Sequence, residues 1–236
     1  TAVQKDTTPW LDLAAAALGA DTRRVFVSTA DVVDPVALRA AIDRSVLDMG
    51  PCDILVTSAG VSRPGHFEQL DDATFRRLME VNYFGTLHAI RAVVPSMVER
   101  GRGSVVGVSS AAGLIGVFGF TAYSPTKFAV RGLLESLRGE LAPHGIHVGC
   151  AFPADVDTPM LVQEERFKPE ETKAISGAIE PISADQVARA ILRGVERGTF
   201  SIAPDWRTRL LARTSGLVPE AFAMAFDRTV RRTRSE

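Results

Sequence analysis

Cysteine is scarce in this chain. Cys52 and Cys150 are the only two among 236 residues, too few for a disulfide framework or a thiolate metal cage. The four histidines, His66, His88, His144 and His147, stand at no ligand spacing from them, so no metal site is expected. An excess of charge of one sign is missing as well. With 27 basic against 28 acidic groups the net charge is −1, which argues against a nucleic-acid partner. A long apolar run is also missing. The longest uncharged stretch, residues 103–126, holds five glycines and four serines, whereas a bilayer helix needs about 20 mostly apolar residues. That stretch reads as a strand followed by a loop. No secretory signal opens the sequence, and a reduced, cytoplasmic setting is the expectation.

What is present is the composition of a packed domain, 46% apolar and 23% charged. Short apolar runs at residues 25–27, Ile54–Thr57, 104–109, 146–152 and 199–203 read as strands. Segments such as Ile54-Leu55-Val56 do not alternate with polar residues, as expected where both faces of a parallel sheet are covered. Helical patterns fill the intervals at 36–49, 73–94, 125–142 and 184–197. Ser183 with Gln186 three residues on is a capping-box signature for the last, and Pro95 should end or kink the second. Alternating strands and helices predict an α/β fold, a doubly wound parallel sheet with helices on both faces. No repeat or linker divides residues 1–236, which read as a single domain.

Two segments depart from this regularity. Residues 157–181 are charged, carry Pro159, Pro169 and Pro181, and follow a strand end. Ligands of such sheets sit beyond the carboxyl ends of the strands, so the segment is expected to be a lid, a surface excursion being the plainer alternative. Residues 207–236 hold seven arginines against three acids, interleaved with apolar residues. They predict an amphipathic helical tail packed on the domain or a second subunit, or else in contact with a membrane surface.

Three weak signals point to chemistry. Phe75, Leu78 and Met79 define an apolar helix face whose next position is Asn82. A buried amide costs about 1–3 kcal/mol if unpaired, so Asn82 needs backbone, water or side-chain partners. Tyr123 and Lys127 lie four apart at the start of a helix, on one face. An ammonium beside a phenol lowers its pKa and makes it a usable proton donor and acceptor. Ser110 ends a strand thirteen residues before Tyr123, and a loop with Gly113, Gly116 and Gly119 returns the chain, so Ser110 and Tyr123 could converge on one oxygen atom. Each has a bland reading: a satisfied core amide, a solvated helix face, a strand-end cap.

Taken together, these residues resemble the short-chain dehydrogenase/reductase family. Ser110, Tyr123 and Lys127 match its catalytic serine and Tyr-x-x-x-Lys in order and spacing. Asn82 matches its helix asparagine, and Thr57-Ser58-Ala59-Gly60 its Asn-Asn-Ala-Gly segment. Phe152-Pro153-Ala154 with Val156 and Thr158 resembles the segment lining the nicotinamide, and Asp31-Val32 the pair beside the adenine. Residues 118–132, 151–159 and 166–172 are similar to the family's 3-ketodihydrosphingosine reductase-like members.

The resemblance implies a Rossmann-like fold and hydride transfer between NADP, or NAD, and a ketone or secondary alcohol. The substrate would be apolar, such as a long-chain 3-keto lipid, with the loop 114–120 offering apolar surface beside Ser110. It casts Asn82, Ser110, Tyr123 and Lys127 as catalytic. Tyr123 would donate the proton and Lys127 lower its pKa, while Ser110 orients the carbonyl and Asn82 holds a relay water. Asp31, Val32, Ala59, Gly60, Pro153, Ala154, Val156 and Thr158, with Tyr123 and Lys127, would bind cofactor. A homodimer or homotetramer packed through the helices of Asn82 and Tyr123 is implied. The family's first strand and Gly-rich phosphate turn have no counterpart before Val25, the single Gly19 being no substitute. They are expected upstream of Thr1. The alternative is a non-catalytic binding or regulatory protein that kept the fold without a dinucleotide site.

Overall fold

The computed structural model describes residues 25–176, 180–217 and 219–233. Strands β1 (Ile54–Thr57), β2 (Gly103–Val108), β3 (Ile146–Ala151), β4 (Val156–Asp157), β5 (Ile182–Ser183) and β6 (Ser201–Ile202) form two sheets. The main sheet has the order β1-β2-β3-β6, all neighbours parallel, and β4 pairs with β5 beside it. Helices α1 (Pro35–Met49), α2 (Asp72–Met79), α3 (Gly85–Arg100), α4 (Ser124–Leu141), α5 (Pro159–Glu165), α6 (Glu170–Ser176), α7 (Ala184–Glu196), α8 (Trp206–Thr214) and α9 (Pro219–Thr233) complete it.

The unbroken apolar runs follow from double coverage of the sheet. Val105 and Val148 face α3 and α4, packing with Ile90, Val93, Met97 and Leu134. Their neighbours Val106 and Ala151 point to the opposite face and pack with Val187, Ala190 and Ile191 of α7. Val105 and Val106 of β2 are both fully buried although adjacent in sequence, the arrangement that helices on both faces require. Caps start the helices where polar side chains allow. Asp34 accepts from the Val36 and Ala37 N–H groups, and Ser183 accepts from Gln186. The reciprocal half of the capping box does not form, because the Gln186 amide donates to the Pro204 carbonyl instead.

Several expectations need correction. Residues 25–27 pair with no strand among the described residues: three apolar residues favour an extended chain, but a strand exists only through ladder hydrogen bonds. On β1, Ile54 and Val56 stay 47% and 41% exposed, since α7 covers β2, β3 and β6. The helix expected at 73–94 is instead α2 and α3 joined by a π-helical turn, Glu80–Phe84. Pro95 does not end it; α3 runs on to Arg100. Pro95 and Arg91 are both exposed, so water can serve the carbonyl that loses its N–H partner, while Val93 and Met97 keep the other face packed.

The last correction concerns the segment expected to be irregular, whose described residues hold two helices, Pro159–Glu165 and Glu170–Ser176. β4 and β5 clamp the segment at its base through a parallel pair, and α5 and α6 stand between them. The helical tail packs on the domain: Leu211 and Ala212 of α8 reach the main core, and α9 lies against α6.

Leu134 on α4 is fully buried against β2. Leu134→Ala is expected to lower unfolding free energy by about 2–5 kcal/mol, read from the urea midpoint.

Candidate active site

Because the strands run parallel, the loops that leave β1, β2 and β3 emerge on one edge. Ser109 and Ser110 follow β2 directly. The Ala111 N–H donates to the Pro153 carbonyl at 2.8 Å, which ties the loop after β2 to the loop after β3. The return segment closes in a turn: the Tyr123 and Ser124 N–H groups donate to the Phe120 carbonyl at 3.0 and 2.8 Å. Tyr123 is the residue before α4, and Pro125 sits in that helix's first turn, where its missing N–H costs nothing.

Ser110, Tyr123 and Lys127 are brought together. The Ser110 hydroxyl interacts with the Tyr123 phenol and accepts from the Ala112 N–H at 3.1 Å. Lys127 Nζ lies 5.6 Å from the centre of the Tyr123 ring. Both side chains are buried, at 8% and 6% exposure. The Lys127 ammonium donates to the Val108 carbonyl at 3.0 Å, and among the described residues that is the ammonium's one hydrogen bond. Ser109 was not singled out from sequence, yet it donates to the Lys127 carbonyl at 2.8 Å and fixes α4 against β2. Its contact needs Gly113, where a Cβ would fall 2.3 Å from Ser109 Oγ and 2.9 Å from the Lys127 carbonyl oxygen.

Asn82 stands in the π-helical turn, 1% exposed. Its Oδ1 accepts from the Val61 N–H at 2.8 Å, and its Nδ2 donates to the Val61 carbonyl at 3.0 Å and to Thr126 Oγ1 at 2.9 Å. Thr126 in turn donates to the Tyr123 carbonyl at 2.8 Å. The amide therefore links the loop after β1 to the turn that carries Tyr123. A Cβ on Gly60 would lie 3.3 Å from Asn82 Oδ1 and 3.6 Å from Lys127 Nζ, so Gly60 is the floor beside both.

The electrostatics reverse one expectation. Burial is the chief cause that raises the Tyr123 pKa above its ordinary value, with the Glu164 and Asp155 carboxylates adding to it and Ser110 opposing. Lys127 does not lower it; burial instead pulls the Lys127 ammonium down from 10.5 to about 8. Loss of water is the chief cause of both shifts.

The residues matched to cofactor binding are spread along the same edge. Ala59 and Gly60 follow β1, and Pro153, Ala154, Val156 and Thr158 follow β3. The Thr158 hydroxyl donates to the Val156 carbonyl at 3.2 Å. Asp31 and Val32 lie farther off, against the start of α3. The Asp31 carboxylate accepts from Val33 N–H at 3.0 Å, and a Cβ on Gly85 would meet Val32 Cγ2 at 2.6 Å. A ligand bearing a diol could be held by Lys127, which retains two unused N–H donors. Gly19 lies outside the described residues. Among those residues no group of His, Cys, Asp or Glu could hold a metal ion.

Helix α6 packs on the loop that follows β2. Thr172 of α6, fully buried, donates to the Phe118 carbonyl at 3.0 Å. It fits there because Gly119 has φ +78 and no Cβ, which would come 2.2 Å from Thr172 Oγ1. Arg63 stacks 3.3 Å over the Phe167 ring. Glu164 on α5 acts on the Tyr123 phenol. No sequence signal marked Glu164, because its proximity to Tyr123 arises only on folding.

Residues 3–169 match the short chain dehydrogenase family. The chain belongs to that family. It is 40% identical over 211 residues to a 3-ketodihydrosphingosine reductase of Dictyostelium discoideum, covering 87% of this chain and 63% of that protein. It is 42% identical over 202 residues to a 3-dehydrosphinganine reductase of Danio rerio, covering 84% of this chain and 60% of that protein. The chain thus spans about three fifths of the length of these curated relatives. A solved short-chain dehydrogenase from Sphingobium yanoikuyae, in complex with NADPH, superposes with a TM-score of 0.70 at 27% identity, over 92% of this chain and 81% of that one.

For this family member, two stability tests follow from the geometry. Asn82→Ala strands the Val61 N–H and carbonyl and is expected to cost about 2–4 kcal/mol in chemical denaturation. The second concerns Lys127, which binds its proton more weakly folded than unfolded. Stability should therefore rise with pH from about 8 towards 10.5, by up to about 3 kcal/mol. Lys127→Met should flatten that rise when unfolding is compared across the same pH range.

Proposed function

We propose that this protein is a reductase that uses NADP, or NAD, to reduce a long-chain 3-keto lipid of the 3-ketodihydrosphingosine type. The observation that carries the reading is the meeting of Ser110 with the Tyr123 phenol, beside a buried Lys127, at the carboxyl edge of a parallel sheet. The names of the two curated relatives support the substrate class, and the NADPH bound to the Sphingobium protein supports the cofactor.

The donor set fits a nicotinamide nucleotide. Lys127 would hold the ribose hydroxyls with its two unused N–H groups, over a floor of Ala59 and Gly60, between the loops after β1 and β3. Pro153, Ala154, Val156 and Thr158 would line the nicotinamide, and Asp31 with Val32 the adenine. When bound, the cofactor supplies the hydride that reduces the carbonyl carbon. The protein's own part is at the oxygen. The Ser110 hydroxyl donates to the carbonyl oxygen and favours the charge that develops there. Tyr123 gives that oxygen its phenolic proton. Its raised pKa keeps the proton in place until an alkoxide, the stronger base, demands it. Asn82, through Thr126, keeps the Tyr123 turn in register, and its one unused lone pair could anchor a relay water.

Apolar surface suits an alkyl chain. Leu114 and Phe120 are spent in the cores, but Ile115, Val117 and Phe118 remain partly exposed, and the lid exposes Met160 and Val162. A groove between α3 and α4, lined by Leu87, Val94, Leu133 and Leu137, suits pairing with a second copy, as a homodimer or homotetramer. Trp206, Leu210 and Leu217 are exposed among the arginines of the tail, a composition suited to a membrane surface. Among the described residues no helix is long and apolar enough to cross a membrane. The non-catalytic alternative is not favoured: it gives no use to an ammonium buried at a folding cost.

Tyr123→Phe is expected to cut turnover about 10³-fold while NADPH affinity, measured by fluorescence titration, stays within about twofold of wild type. Turnover by the variant at the wild-type rate would overturn the reading. Across 3-ketones of rising chain length, kcat/KM should climb.

A further inference from the structure

Helix α8 carries apolar side chains on two opposite faces. On the inner face Thr208 is buried, and Leu211 and Ala212 pack on the main core. The outer face holds Trp206 and Leu210, one turn apart and 67% and 53% exposed, and Leu217 just beyond the helix is 79% exposed. Arginines frame this stripe. Arg207, Arg209 and Arg213 are all exposed. At 3.6 residues per turn, Arg209 and Arg213 fall on one side of Trp206, and Arg207 falls beyond Leu210 on the other. Residues 206–217 contain no acidic residue. None of the three guanidinium groups pairs with a carboxylate among the described residues. Arg207 lies 5.5 Å from the centre of the Trp206 ring instead. The whole chain has a net charge of −1, so the positive charge here is local to one patch.

A stripe of exposed tryptophan and leucine flanked by arginine matches an occupant that is apolar in one layer and negative in the next. A second copy of this chain does not meet that demand. A two-fold pair sets the same patch against itself, and arginines would then oppose arginines. An anionic bilayer does meet it. Tryptophan suits the headgroup level, leucines reach the acyl boundary, and guanidinium groups bind phosphate in bidentate fashion. The position of the helix adds an independent observation. Helix α8 packs against the turn Ala111–Gly113, which follows Ser110 directly. The patch and the reacting groups therefore lie on neighbouring parts of one structure.

We propose that α8 and Leu217 form a docking surface for an anionic lipid bilayer, on which the helix lies in the plane of the headgroups. Trp206, Leu210 and Leu217 enter the interface, and Arg207, Arg209 and Arg213 take the lipid phosphates. This deepens the membrane contact named above, and its use in catalysis rests on the reductase reading. Long-chain ketones gather in bilayers because every methylene favours the apolar phase. A protein that stands on that surface, with the Ser110 turn directly behind its contact helix, meets such a substrate where it is concentrated.

The experiment is co-sedimentation of the full-length protein with vesicles of phosphatidylcholine alone or with about 30 mol% phosphatidylglycerol. Wild type should bind the anionic vesicles at least about tenfold more strongly than the neutral ones, and high salt should release it. Arg209→Gln combined with Arg213→Gln should weaken that binding about 30-fold, and Leu210→Ser about tenfold. These side chains are exposed, so the variants should keep the wild-type urea midpoint and the wild-type turnover of a water-soluble short-chain 3-ketone. Their turnover of 3-ketodihydrosphingosine carried in the anionic vesicles should fall with the binding. Equal binding to both kinds of vesicle, binding to neither, or variants that bind like wild type overturns the docking surface. So does a lipid-independent dimer that Leu210→Ser dissolves, because a second copy then covers the face. Wild type that binds anionic vesicles but turns over no ketone keeps the docking surface and sinks the reductase reading alone.

Discussion

The amide of Asn82 is the constraint on which the site depends. It spends both N–H groups and one carbonyl lone pair on the Val61 backbone and on Thr126. Thr126 then holds the carbonyl of Tyr123. In a buried setting each of these bonds is costly to leave unmade, so the loop after β1 and the start of α4 move together or not at all. The π-helical turn that presents Asn82 widens the helix by one residue at that point, an irregularity that recurs at functional sites. Without it, the run from Asp72 to Arg100 would carry the amide at a different angle to the sheet.

Around this brace, burial sets the chemistry. Lys127 and Tyr123 sit close, but each is shifted first by loss of water and only second by its neighbours. The result is an acid that keeps its proton at neutral pH and a lysine poised near it. Cys150 shows the same force at work beneath them, its thiol pushed up to about 12 by burial. Glu164 and Asp155 add negative charge near the phenol, and Lys168 pairs with both carboxylates.

Much of this was legible in the sequence because it rests on local spacing. The Tyr123–Lys127 pair is one helical turn, Ser110 is a strand end, and the alternation of short apolar runs with helices can be read along the chain. Asn82 on an apolar face announced a buried amide in need of partners. Other features were not legible. Glu164 reads as one more charge in a charged segment, and Ser109 as an ordinary loop serine. Residues 25–27 look like a strand, but pairing is a property of two chains. Pro95 looks like a helix stop, yet its lost hydrogen bond falls on the wet face.

The sequence by itself determined the fold class and the family and singled out the candidate site residues, since these follow from periodicity and from motifs a few residues long. Only the tertiary structure decided the direction in which Tyr123 is shifted, the partners that occupy Asn82, and the closeness of Glu164 to the phenol. Those depend on desolvation and on distances between residues twenty or more positions apart, which no local pattern encodes.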